Sequence, residues 1–211
     1  MKAMDRLVDI TKSYNGINTF PAASAETNLA AKISSGEADA FNQLFHLYFD
    51  RLYSLVFHEI GRDSTIAEDI VQETFLSALK SAKNFKGNSQ VYTWLVGIAH
   101  HKIADYYRHA KRERGNTSLS QDDPPPQIAE LAANEPSAAN LVESAELKLM
   151  VEQALQNLPL NYRQVLLLKY IEDLPVHEIC RIMNRSPKSI EGLLARARKA
   201  LKENIGDHHE G

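Results

Sequence analysis

Apolar residues between positions 26 and 113 recur at three- and four-residue steps, the period of helices buried along one face. A short helix is expected from Glu26 to Ser34, ended by Ser35-Gly36. Phe41, Leu44, Phe45, Tyr48, Leu52, Leu55 and Val56 then mark a long helix over about Glu37 to Ile60. Gly61 closes it, because glycine takes a left-handed backbone without a side-chain clash. Thr65 followed by Glu68 has capping-box spacing, so a helix is expected to start there. Its predicted buried stripe is Ile66, Ile70, Val71, Phe75, Ala78 and Leu79, while Asp69, Gln72 and Glu73 point away. After a break at 84–89, with Gly87 and Asn88 as turn formers, a further helix is predicted from Val91 to Lys111. Trp94, Leu95, Ile98 and Ile103 line one side of it.

The pattern stops at Arg114. Three consecutive prolines at 124–126 lack N–H donors and fix their backbone, which rules out a packed helix. Helical spacing returns at 138–157, at 162–172, from Pro175 to Met183, and from Pro187 to about Asn204. The chain therefore reads as all-α, with two small helical domains joined by a flexible proline-rich linker. The expected boundaries are a tail at 1–25, a helical bundle at 26–113, the linker at 114–137, a helix-turn-helix domain at 138–205 and a tail at 206–211.

Composition narrows the class. Over 211 residues there is one cysteine, Cys180, which removes any intramolecular disulfide and any cysteine-only zinc site. The first twenty residues lack the apolar core of a signal peptide, and no apolar run is long enough to span a bilayer. A cytoplasmic protein without membrane insertion is expected. No Ser/His/Asp order, metal-ligand spacing or glycine-rich phosphate loop stands out, so we expect neither an enzyme nor a cofactor or metal.

Charge is unevenly distributed although the net value is only −3. Between Glu26 and Leu79 there are nine acidic residues against three basic ones. Between Arg185 and Lys202 there are six basic residues against Glu191 alone. Two kinds of partner would explain this, as would solvated helix faces.

The basic end carries a helix-turn-helix pattern. Pro175 suits the first turn of a helix. Ile179 and Ile182 face inward, Asn184-Arg185 makes the turn, and Ser186 before Pro187 is placed to cap the second helix. Ile190, Leu194, Ala197 and Leu201 form its apolar stripe, and Lys188, Glu191, Arg196 and Lys199 lie opposite. A recognition helix needs this split, with one face packed and the other in the major groove. A plain helical hairpin has the same apolar stripe; the tight turn, capping serine and basic second helix together favour DNA.

Leu158-Pro159, Tyr162 to Leu166, Glu178-Ile179, Ser186, Ile190 and Arg196 to Leu201 resemble the fourth conserved region of extracytoplasmic-function (ECF) sigma factors of the sigma-70 family. Independently, Ala67 to Phe75 is similar to the polymerase-binding helix of the family's second region. Tyr92 to Ala99, followed by Asp105 and Arg108, is similar to its promoter-melting segment. The resemblance covers about Glu26 to Asn204, outside the linker and both tails.

It implies a dissociable sigma factor that directs promoter-specific initiation in a stress or envelope response. Glu68, Asp69, Gln72 and Glu73 would bind the clamp helices of the largest subunit of core RNA polymerase. Those acids could also merely solvate a helix. A base flipped from the minus-ten element would meet the loop from Phe85 to Thr93. Asn88, Ser89 and Gln90 would bond its edge, Tyr92 would stack and Thr93 would lie beside it. Lys86, Lys102 and Arg108, with Lys80 and Lys83, would neutralise phosphates. Trp94 is assigned to the core, and His100 and His101 to exposed positions. The minus-thirty-five duplex would meet Arg185, Ser186, Lys188, Ser189, Glu191, Arg196 and Lys199. Glu191, Gly192 and Leu193 depart from a common lysine, serine and arginine. Glu191 would accept from a cytosine amino group, reject wrong promoters, or simply be solvated. An anti-sigma partner is expected. The alternative is a stand-alone helix-turn-helix regulator, in which the acidic helix and the polar loop have no evident role.

Overall fold

A computed structural model of the chain describes residues 23–113 and 149–207. The expected linker, most of the first tail and residues 208–211 lie outside them, as do residues 138–148 of one predicted helix. Among the described residues there are helices and turns and no strand. In chain order these are α1 (Ala23–Ser35), α2 (Ala38–Glu59), α3 (Ser64–Ser81), a 3-10 turn (Ala82–Asn84) and α4 (Val91–Glu113). There follow α5 (residues 149–156), α6 (Leu160–Leu166), a π-helical turn (Leu167–Ile171), α7 (Val176–Met183) and α8 (Pro187–Asp207).

The described helices fall into two compact units, one holding α1 to α4 with α7, the other holding α5, α6 and α8. In the first, α2, α3 and α4 pack on one another and α1 closes one end. Its core is Leu44, Tyr48, Leu52, Leu55 and Val56 of α2 and Ala67, Ile70, Val71 and Ala78 of α3. Val91, Tyr92, Leu95, Val96, Ala99 and Ile103 of α4 complete it. The Tyr107 hydroxyl donates to the Glu59 carbonyl at 3.1 Å, which pins α4 to the last turn of α2. Gly61 stops α2 as expected, at φ 90°. In the second unit α6 packs on α8. Val151, Ala154, Leu155, Leu158, Val165, Leu166, Ile190, Leu193, Leu194, Ala197, Leu201 and Ile205 are buried there. Asn204 Nδ2 donates to the Ala154 carbonyl at 3.1 Å, which ties α8 to α5.

Several local expectations change. The cap of α3 is Asp63, whose Oδ1 accepts from the Ile66 N–H at 3.1 Å, and Thr65 is an exposed helical residue. Asp63, Ser64 and Thr65 are all good capping types, and the backbone turns extended at Asp63 (φ −82°, ψ 108°). Phe45 and Leu79, expected inside, are 40% and 52% exposed. They lie at the edge of their stripes, where Phe45 rests on Phe49 and Phe75 with ring centroids 4.8 and 5.0 Å away. The helix expected over 162–172 breaks into α6 and a π turn, a wider winding that shifts the register of Lys169 to Ile171.

Candidate functional site

The outer face of α3 is built by exclusion. Ala67, Ile70, Val71, Thr74 and Ala78 take the buried face, and the Thr74 hydroxyl donates to the Ile70 carbonyl at 2.7 Å. Glu68, Asp69, Gln72 and Glu73 are left exposed together, one turn apart. Leu76 and Leu79, 55% and 52% exposed, continue that face toward the C-terminus.

The loop before α4 has an anchored base and an open tip. Phe85 is buried, its N–H donates to the Ala82 carbonyl at 3.0 Å, and its ring stacks on Trp94 at 4.7 Å. The Ser34 hydroxyl of α1 lies 3.0 Å from the Phe85 carbonyl. Gly87 turns the chain at φ 68°, a conformation that favours glycine. Lys86, Asn88 and Gln90 are exposed and Ser89 is half-buried. Trp94 is also half-buried, so it belongs to the wall beneath the loop rather than to the deep core.

Tyr92 and Thr93 do not join this tip. Tyr92 is 0% exposed, beside Tyr48 at 5.4 Å between ring centroids, and the Arg51 guanidinium lies 4.1 Å above its ring. The ring is therefore enclosed by the protein, and Tyr92 is not open to serve as the stacking wall assigned to it. Thr93 is also buried. The cause is spacing: Tyr92, Val96, Ala99 and Ile103 share the stripe that faces α2 and α3.

Along α4, Lys102 Nζ sits 3.0 Å from Glu73 Oε2 of α3, and Arg108 pairs with Asp105. His101 is exposed, as assigned, but His100 is not. Its Nδ1 is sealed from solvent and has no hydrogen-bond partner in the structure. Burial first, then the charges of His101 and Arg185, lower its pKa from 6.5 to about 4. Within this unit α7 packs on α4, and Arg181 Nη1 donates to the Asn88 carbonyl at 2.7 Å.

The turn between α7 and α8 runs through Asn184 in the left-handed region (φ 51°, ψ 50°), which asparagine tolerates better than most residues. The Arg185 N–H then donates to the Cys180 carbonyl at 3.0 Å and closes α7. As expected, α8 starts at Pro187 with Ile190, Leu194, Ala197 and Leu201 buried. Leu193 is buried as well, which removes it from the groove-facing set. Lys188, Glu191, Arg196 and Lys199 are exposed, Ser186 is exposed, and Arg185 and Ser189 are half-buried. A side chain at Gly192 would meet nothing within 4 Å. Lys199 pairs loosely with Glu203 at 3.7 Å. Sequence reasoning missed Arg51, the Asp63 cap and the Glu73–Lys102 pair, all of which depend on contacts that spacing alone does not reveal.

Comparison with known proteins agrees with both halves. Residues 44–113 match Sigma-70 region 2, and residues 148–201 match Sigma-70, region 4. The ECF RNA polymerase sigma factor SigW of Bacillus subtilis is 30% identical over 83% of this chain and 94% of its own length. The ECF RNA polymerase sigma-E factor of Haemophilus influenzae is 27% identical over 84% and 93%. Among solved structures, the fold is similar to CnrH in complex with the cytosolic domain of CnrY. That match has a TM-score of 0.61 and 24% identity, over 87% of this chain and 98% of the other. Sigma factor RpoE of Bartonella quintana, in complex with the anti-sigma factor NepR, gives the same score at 21% identity over 79% and 96%. With both regions present in order and the relationship spanning most of each chain, this protein belongs to the ECF sigma factors of the sigma-70 family.

Proposed function

We propose that this sigma factor seats α3 on the clamp helices of the largest subunit of core RNA polymerase through Glu68, Asp69, Gln72 and Glu73. The observation that carries the reading is the face itself: four acidic or amide side chains exposed side by side on a helix whose other face is fully packed. The minus-ten strand meets the open loop tip. Lys86, Asn88, Ser89 and Gln90 hydrogen-bond a flipped base and its backbone, and Lys102 and Arg108 lie against phosphates. Tyr92 and Thr93 support the loop from beneath. The minus-thirty-five duplex meets Arg185, Ser186, Lys188, Ser189, Glu191, Arg196 and Lys199. Exposed Glu191 beside Gly192 leaves this helix short of cations in its first turns, so polymerase supplies the missing affinity.

The protein acts as an initiation factor without catalytic chemistry of its own, in the cytoplasm, in a stress or envelope response. Among the described residues no helix is long and apolar enough to cross a membrane. An anti-sigma factor restrains it; the similar RpoE fold was solved with such a partner. A regulator that binds operators alone is disfavoured, because it leaves the acidic α3 face unused. The test pairs two binding measurements on the full chain. Tight binding to purified core, with no shift of duplex DNA by the chain alone, is expected. Sequence-specific shift of duplex without polymerase, and no core binding, would overturn the proposal.

A further inference from the structure

We propose that the Glu73–Lys102 ion pair couples polymerase binding to DNA binding, so that seating α3 on core polymerase releases Lys102 toward the promoter backbone. This rests on the reading of α3 as the polymerase face and of Lys102 as a phosphate contact.

The two residues belong to different helices and to different proposed surfaces. Glu73 stands one turn from Asp69 on the exposed side of α3, and Lys102 reaches across from α4 to within 3.0 Å. Neither end is loosely placed. Val71 and Thr74 beside Glu73, and Ile103 beside Lys102, are buried in the packed contact between the two helices. The Glu73 side chain is 62% exposed and the Lys102 side chain 30% exposed. The carboxylate is thus the open member, accessible to an incoming partner, and the ammonium is the sheltered one.

A carboxylate held 3.0 Å from an ammonium cancels most of its field at longer range. While the pair is closed, Lys102 offers little to a phosphate and Glu73 little to a cation or donor on polymerase. Either partner must open the pair, yet when both bind it opens only once. The first ligand bears that cost and the second is spared it, which is positive coupling between the two sites and necessarily reciprocal. Exposed pairs are weak, so the coupling is about 1.5-fold to fivefold. That is small beside total affinity and specific in its sign. A purely structural tie would lower folding stability on removal and leave affinities alone.

The experiment measures binding of the full-length chain to purified core in the absence of DNA. Variants are Glu73→Gln, Lys102→Gln, the double variant and Lys102→Arg. Glu73→Gln is expected to weaken core binding. Lys102→Gln is expected to tighten it by about 1.5-fold to fivefold, and to have no effect in the Glu73→Gln background. Lys102→Arg keeps the pair and stays at the wild-type value. With core saturated, Lys102→Gln is expected to lower the slope of log K against log salt for promoter DNA by about one. If Glu73→Gln weakens core binding but Lys102→Gln leaves it unchanged, weakens it, or tightens it equally in both backgrounds, the coupling is overturned and the polymerase face stands. An unchanged salt slope overturns the DNA half. If Glu73→Gln leaves core binding unchanged, the reading of that position fails and takes the coupling with it.

Discussion

His100 is an imidazole that the fold keeps neutral. Burial is the first cause, and the neighbouring charges of His101 and Arg185 add to it. A histidine whose folded pKa lies below its unfolded value binds its proton more readily when unfolded. Its contribution to stability is therefore complete above pH 6.5 and is lost as pH falls through the interval down to about 4. Urea unfolding between pH 7 and 4 is expected to show wild type losing up to about 3 kcal/mol more than His100→Gln. Identical pH profiles for the two chains would show that His100 is not the sensor. The same stretch shows how far spacing reads at this scale. Leu95 and Ile103 were legible as core, and Tyr92 was equally legible by its step to Val96 and Ala99. Its aromatic character suggested a stacking role that its position in the stripe forbids. Arg51 over the Tyr92 ring was not legible, since a cation–π contact joins positions on separate helices.

At the scale of elements, helix interiors were readable and helix ends less so. Glycine-terminated ends read correctly, because a left-handed turn has few candidate residues: Gly61 at φ 90° and Gly36 at φ 81° both stop helices. The start of α3 did not, because Asp63-Ser64-Thr65 offers three capping residues and only the backbone selects among them. The expected consequence is sharp. Asp63→Ala should cost about 1 kcal/mol in chemical denaturation, and Thr65→Ala only a few tenths. Equal losses would restore the capping box at Thr65. The π turn after α6 was invisible for a different reason. Leu166, Leu167 and Leu168 are all buried, and an unbroken apolar run carries no period from which a change of winding can be read.

For the whole molecule, the two matched regions read clearly because each combines an apolar period with polar residues that the core does not need. The acidic face of α3 and the exposed cations of α8 are such residues. What spacing could not supply was which polar groups are already committed inside the protein, as Glu73 is to Lys102 and the Asn88 carbonyl is to Arg181. Under the proposed function, polymerase is the source of DNA affinity and α3 the way onto it. The direct test is transcription in vitro with purified core on a genomic template library, comparing wild type with the charge reversal Asp69→Lys. Asp69 is exposed and sits on the outer face of α3, so the reversal should leave the fold intact. The expected result is a distinct set of transcripts that depends on wild type and falls at least about tenfold with Asp69→Lys, consistent with loss of a charged interface contact. Transcripts that are absent with wild type, or unchanged by the reversal, would contradict it.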